Sequence, residues 1–147
     1  RYRLVECRKH SICRTLLGVV PSKILSVPVR VPAGNLQQDN FVALTRSLPV
    51  RLRDAGLEGS FAVSPSTFLL TDQLLVYDDS QIVINKSPRY TYYRDITGTW
   101  RRFGEGGGYD AGDEEIFVPG TGVIIRKVGT GSTSEERIYW THIDPIQ

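Results

Sequence analysis

The side chains best equipped for chemistry are few and scattered. Only two histidines are present, His10 in "CRKHSIC" and His142 in "THID". A nucleophilic site needs a base beside Ser, Thr or Cys and a third group to orient that base. Asp144 stands two residues from His142, but no Gly-x-Ser-x-Gly pattern accompanies it. Cys7 and Cys13 flank His10 at a spacing wrong for a zinc knuckle, and no second cysteine pair completes four ligands. Their five intervening residues can close a small loop, so a disulfide is expected, with free thiols as the alternative.

Carboxylates gather in "YDAGDEE" (109–115), which supplies Asp110, Asp113, Glu114 and Glu115, and in "YDD", which adds Asp78 and Asp79. Calcium favours several carboxylates on a flexible loop, yet this spacing is not an EF-hand. A solvated acidic loop is the plainer expectation. A glycosidase-type carboxylate pair has no signature here. "GEGGG" (104–108) lacks the Gly-Lys-Ser/Thr ending of a phosphate loop, and no helix follows it. No catalytic residue, metal or cofactor is assigned, and the chain is not expected to be an enzyme.

Aromatic residues offer the other chemistry. "YRDITGTWRRFG" (93–104) reads as a hairpin around Thr97-Gly98, with three to five loop residues. Period-two alternation puts Tyr90, Tyr92 and Arg94 on one face of the first arm; in the second, Trp100 and Arg102 oppose Arg101 and Phe103. Aromatic core on one face and an exposed strip of arginine stems on the other is the structural expectation. A glycan platform built from Tyr90, Tyr92 and Trp100 is the functional one. Nucleic acid would need aromatics interleaved with a basic face. The aromatics instead lie in the acidic part of the chain, so no nucleic-acid partner is expected.

The elements that must position these residues read as strands. "KILSVPVRVPAG" (23–34) alternates cleanly, and its prolines restrict it to an edge. "FVALTRSLPVRL" is a second apolar stretch, and "DAGLEGSF" (54–61) has turn composition with room for a short helical turn. "TFLL" and "QLLVYDD" read as β-type runs, and "ERIYWTHI" as a last strand. "EIFVPGTGVIIRKVG" reads as two strands pivoting about Pro119-Gly120 in a type II turn. Only residues 1–17 show any helical character, and they form no clean stripe. The expected fold is an all-β antiparallel sandwich or partly closed barrel, residues 23–147, with an N-terminal basic extension, residues 1–22.

Hydrophobic residues at 40% and charged residues at 23% fit a globular chain. At 147 residues it buries roughly 70% of its unfolded surface without a staple. No apolar run approaches a membrane span. The net charge of +2 hides a gradient. Residues 1–30 carry seven bases against the single acid Glu6; residues 31–147 carry eleven bases against fifteen acids. The chain contains no methionine, so removal of an export leader is expected, with a piece cut from a longer chain as the alternative.

Between Val27 and Trp140, "VPVRVPAGN", "DQLLVYDDSQIVINKSPRYTYYRDITGTWRRFG" and "VPGTGVIIRK" together resemble a family of exported, β-rich bacterial proteins. The resemblance implies export and a repeated fold and carries no active site. Residues 1–22 lie outside its pattern.

These features point to a structural subunit of an extracellular filament or surface assembly, made of copies of itself. The extension would join neighbours head to tail by strand addition, giving an open polymer. Arg3, Arg8, Lys9 and Arg14 would meet Asp110, Asp113, Glu114 and Glu115 of the next copy. The alternatives are a carbohydrate-binding module and a cell-surface domain clipped from a larger enzyme.

Overall fold

Val27, Val29 and Val31 alternate with Ser26, Pro28 and Arg30, and the chain there is a strand with Val29 and Val31 buried. The computed structural model describes residues 2–7, 13–18, 24–43, 49–78, 87–117 and 121–143, with most side chains from Ile24 onward. Two strands lie in the basic extension, β1 (Tyr2–Cys7) and β2 (Cys13–Gly18). The body begins with β3 (Ile24–Val31), β4 (Gln37–Ala43), β5 (Val50–Arg51) and β6 (Gln73–Val76). It continues through β7 (Tyr90–Arg94), β8 (Trp100–Arg102), β9 (Glu115–Phe117), β10 (Gly122–Val128) and β11 (Glu136–Ile143). Among the described residues the only helical segments are 3-10 turns at Leu52–Asp54, Glu58–Ser60 and Ala111–Asp113.

The strands make a five-stranded antiparallel sheet in the order β4-β10-β6-β7-β8, with separate β3–β11 and β5–β9 ribbons. The fold is all-β and sandwich-like, without a closed barrel among the described residues. Pro28 sits opposite Tyr139 in a strand that, among the described residues, pairs with β11 alone, so its missing N–H breaks no central ladder there.

The core fills the space between the β3–β11 ribbon and one face of the large sheet. Val29 and Trp140 pack with Val42, Leu74, Tyr92, Val123 and Ile125, while Leu52, Ala55, Leu57 and Phe61 close one side from the 3-10 turns. Trp140 lies against Phe117 at 5.5 Å between ring centroids and donates its indole N–H to the Ala55 carbonyl at 2.7 Å. A buried Trp needs such a partner, because an unbonded indole N–H carries its full desolvation cost. Asn40 stitches the two layers together. Its amide accepts from Arg30 N at 2.8 Å and donates to Arg30 O at 3.0 Å and Ile125 O at 3.2 Å.

Three expectations need correction. The weak helical character over 1–17 gives way to two antiparallel strands that, among the described residues, pair only with each other. "EIFVPGTGVIIRKVG" does supply two strands, but they part company: β9 joins β5 and β10 inserts between β4 and β6. Pro119 and Gly120 lie outside the described residues. "TFLL" is a surface loop instead of a strand, pinned by Ser64 Oγ accepting from Thr71 N at 3.1 Å and Ser66 Oγ accepting from Leu69 N at 3.1 Å. Hydroxyls that satisfy nearby backbone N–H groups compete with ladder formation.

Register places Cys7 directly opposite Cys13 at the turn end of the β1–β2 hairpin, Arg3 opposite Leu17 and Glu6 opposite Arg14. The side chains of Arg3, Cys7, Cys13 and Arg14 lie outside the described residues, as do Arg8 and Lys9 entirely, so the expected disulfide and the basic contacts fall beyond them.

Candidate functional site

The β7–β8 hairpin forms as its turn chemistry demands. Register pairs Tyr92 with Arg102, Tyr93 with Arg101 and Arg94 with Trp100. Asp95 organises the loop: its Oδ1 accepts from Thr97 N at 2.9 Å, Thr97 Oγ1 at 2.5 Å and Thr99 N at 3.1 Å, and its Oδ2 from Arg101 Nε at 2.7 Å. Gly98 holds φ at 81°, where an L side chain is strained. Arg94 fills the space beside it, donating to Gly98 O at 3.1 Å and Glu58 O at 2.9 Å.

Arg102 and Glu114 then fold the glycine-rich loop back onto the sheet. Glu114 accepts from the hydroxyls of Tyr92 and Tyr109, each at 2.6 Å, and from Arg102 Nη1 at 3.2 Å. Arg102 also bonds Glu105 at 2.6 Å and lies over the rings of Tyr90 and Tyr109 at 4.9 and 5.0 Å. Burial, reinforced by Glu114, pushes the Tyr92 hydroxyl far above the ordinary tyrosine range, and the Glu114 hydrogen bond raises Tyr109. Both phenols therefore stay protonated donors throughout the physiological range. The constellation is a closed set of donors and acceptors that positions a loop.

That geometry revises the residues singled out from sequence. The arginines of the hairpin are not an exposed strip: Arg94, Arg101 and Arg102 are half-buried clamps. Tyr92 and Trp100 are 1% and 3% exposed, with Tyr90 half-buried, so the three rings present no stacking face to a glycan. Trp100 instead packs on Phe61 at 5.1 Å and donates to Glu58 at 3.1 Å. The acidic loop is largely neutralised within the chain. Asp110 and Asp113 pair with Arg53 at 3.2 and 3.0 Å, Asp113 also lies 3.6 Å from Arg51, and Glu114 is held as above. Glu115, exposed on β9, stands opposite Arg51 in register.

Two ionised aspartates tie the sheet electrostatically. Asp39 is held below its ordinary value by two hydrogen bonds from Arg126, at 2.7 and 2.9 Å, against the opposing effect of burial. For Asp95 burial works upward, but hydrogen bonds from Thr97, Arg101 and Thr99 outweigh it and the net direction is down. The unfolded chain therefore takes up these protons first, near 3.8. The stability they contribute is complete above that pH and is lost as pH falls through the lower folded values. Arg126→Gln should accordingly melt below wild type at neutral pH, with the gap closing in acid. A gap in melting temperature that stays constant from neutral pH to pH ~2 would refute this linkage.

Sequence reasoning missed the second face of the large sheet. Its core-facing set is Val42, Leu74, Tyr92, Val123 and Ile125; the alternate positions carry Phe41, Leu75, Tyr93 and Ile124. A sheet apolar on both faces expects a covering layer on each, and Leu75, Tyr93 and Ile124 are already buried, so Phe41 alone of this set stands open. Phe41 is 80% exposed and borders a groove of about 680 Å³ with Ala43, Tyr77 and Ile124. Beyond the hairpin, Phe68 and Phe103, 98% and 60% exposed, flank a cleft of about 500 Å³ floored by Tyr93 and Arg101. The signal for the second face was present in "QLLVY", a run without alternation in the middle of the sheet.

Fold and site thus define an antiparallel, sandwich-like all-β chain whose polar clusters are structural clamps and whose large sheet has a second apolar face. Comparison with protein-family models, with curated proteins and with solved structures finds no match. No helix among the described residues is long and apolar enough to cross a membrane.

Proposed function

We propose that this chain is a structural subunit of an extracellular filament or surface assembly, joined head to tail through its N-terminal hairpin. The observation that carries the reading is Phe41, exposed on the outer strand β4 at the edge of a second apolar face whose Leu75, Tyr93 and Ile124 are already buried within the chain. A strand added to β4 satisfies main-chain groups along that edge and covers Phe41, Ala43 and Tyr77. The occupant is the β1–β2 hairpin of a neighbouring copy, a two-stranded sheet of its own that two strands alone scarcely stabilise in water. The other outer strand, β8, is a poorer acceptor. Arg101 reaches past it to the Tyr109 carbonyl at 2.8 Å, drawing the glycine-rich loop alongside. In this reading a Cys7–Cys13 bond closes the hairpin in an oxidising compartment, consistent with secretion.

Because the acidic loop is neutralised internally, apolar cover and main-chain pairing provide most of the affinity, and the basic residues of the extension tune it. Deletion of residues 1–22 should leave a folded body that is monomeric by light scattering. Phe41→Lys in the full chain should also disperse the assembly, while thiol alkylation of the same sample reads the hairpin bond. A truncated body that still forms oligomers removes the proposal.

A further inference from the structure

Lys127 is the one fully buried cation among the described residues, 4% exposed, and it sits beside Asp72, 1% exposed. Continuing the antiparallel register past Arg126 opposite Gln73 sets these two residues against each other on neighbouring chain segments. Lys127 Nζ bonds Asp72 Oδ2 and donates to the Ser60 carbonyl at 2.6 Å, with the Phe61 ring centroid 5.5 Å away. The carboxylate also accepts from two backbone amides, Ala62 N on Oδ2 at 2.6 Å and Val128 N on Oδ1 at 3.3 Å. An amine and a carboxyl group are thus held in contact, away from water, with amide donors already aimed at the carboxyl oxygens.

We infer that Lys127 and Asp72 are the site of an intramolecular isopeptide cross-link, formed by the protein on itself. Nζ passes one proton to the carboxylate, giving an amine and a carboxylic acid. The nitrogen lone pair attacks Cγ and forms the Nζ–Cγ bond, while the Val128 N–H on Oδ1 holds the charge that develops on that oxygen and Oδ2 carries the transferred proton. One Cγ–O bond then breaks, and the departing oxygen takes a second proton from nitrogen and leaves as water. One N–C bond is gained, one C–O bond lost and one water released, with no oxidant, metal or co-reactant. Condensation is unfavourable in water, but fixed neighbours reach effective molarities of about 10⁵–10⁸ M and the site excludes water.

The surroundings fit the product as well as the starting pair. The amide keeps a single N–H, and the Ser60 carbonyl is its acceptor. The retained Oδ1 keeps the Val128 N–H, and its second lone pair is open to the Ala62 N–H that the departing Oδ2 releases.

Intact mass measurement on the denatured, reduced full chain tests the idea directly. The expected mass is one water below that of the sequence, and a tryptic digest should contain a branched peptide joining the segments that hold Asp72 and Lys127. Lys127→Arg should restore the full mass and abolish the branched peptide. A wild-type chain at its full sequence mass overturns the inference. So does a water loss that persists in Lys127→Arg, which would mark a cyclic imide elsewhere.

Discussion

Trp140→Ala should lower the unfolding free energy by about 3–5 kcal/mol, the usual cost of emptying a fully buried aromatic site. Trp140 is 0% exposed and is held from both sides, by Phe117 of the β5–β9 ribbon and by the Ala55 carbonyl beside the first 3-10 turn. Truncation opens a cavity and removes the donor from a buried carbonyl. In a chain of this length each kcal/mol shifts the melting temperature by about 2–4 °C, so a drop on the order of 10 °C is expected. Trp140→Phe separates the two contributions. It retains most of the packing and loses the hydrogen bond, which should cost about 1–3 kcal/mol. Tyr139, the next residue in the chain, is 58% exposed, and its alanine variant should stay within about 0.5 kcal/mol of wild type. Equal losses at 139 and 140 in thermal melts would mean that the strand register is wrong.

Strict alternation makes β3 legible in the sequence, because a half-buried strand writes its register into every second residue, and the β-branched and aromatic run "ERIYWTHI" marks β11. The β7–β8 hairpin was equally legible, since Gly98 and Asp95 are local turn chemistry. What local reading could not supply was pairing over long separations. Nothing in "VPGTG" tells β9 to leave β10 and join β5, or tells β10 to sit between strands drawn from residues 37–43 and 73–76. "TFLL" misled for the opposite reason. Its composition is strand-like, but Ser64 and Ser66 close the loop and leave Phe68 in solvent.

The polar residues show the same division. Sequence marked Asp110, Asp113 and Glu114 as an acidic cluster, correctly as a composition, yet each finds its partner from afar: Arg53 for the aspartates, Tyr92 and Arg102 for Glu114. A surface that looks charged in one dimension is balanced in three. Apolar area is what the folded chain leaves exposed, at Phe41, Phe68 and Phe103. Assembly by burial of those rings is therefore expected to resist salt, whereas assembly by charge would weaken as ionic strength shortens the screening length.

Lys127 completes the argument, since alternation with Val123 and Ile125 already turned it inward. An inward lysine in a strand requires a buried anion, and Asp72 lies 55 residues away along the chain. Removing one partner should be severe: Asp72→Ala strands the ammonium and frees two backbone N–H groups, at about 3–5 kcal/mol for a broken buried pair. The double variant Asp72→Ala/Lys127→Met then distinguishes bond types. Replacing both members of a non-covalent buried pair by apolar groups is often close to neutral. Losing a covalent closure of this length relaxes the unfolded chain and costs about 4 kcal/mol by the chain-entropy relation. Denaturant unfolding of the double variant is expected to show the larger loss, and a near-neutral double variant would reduce Lys127 and Asp72 to an ordinary ion pair.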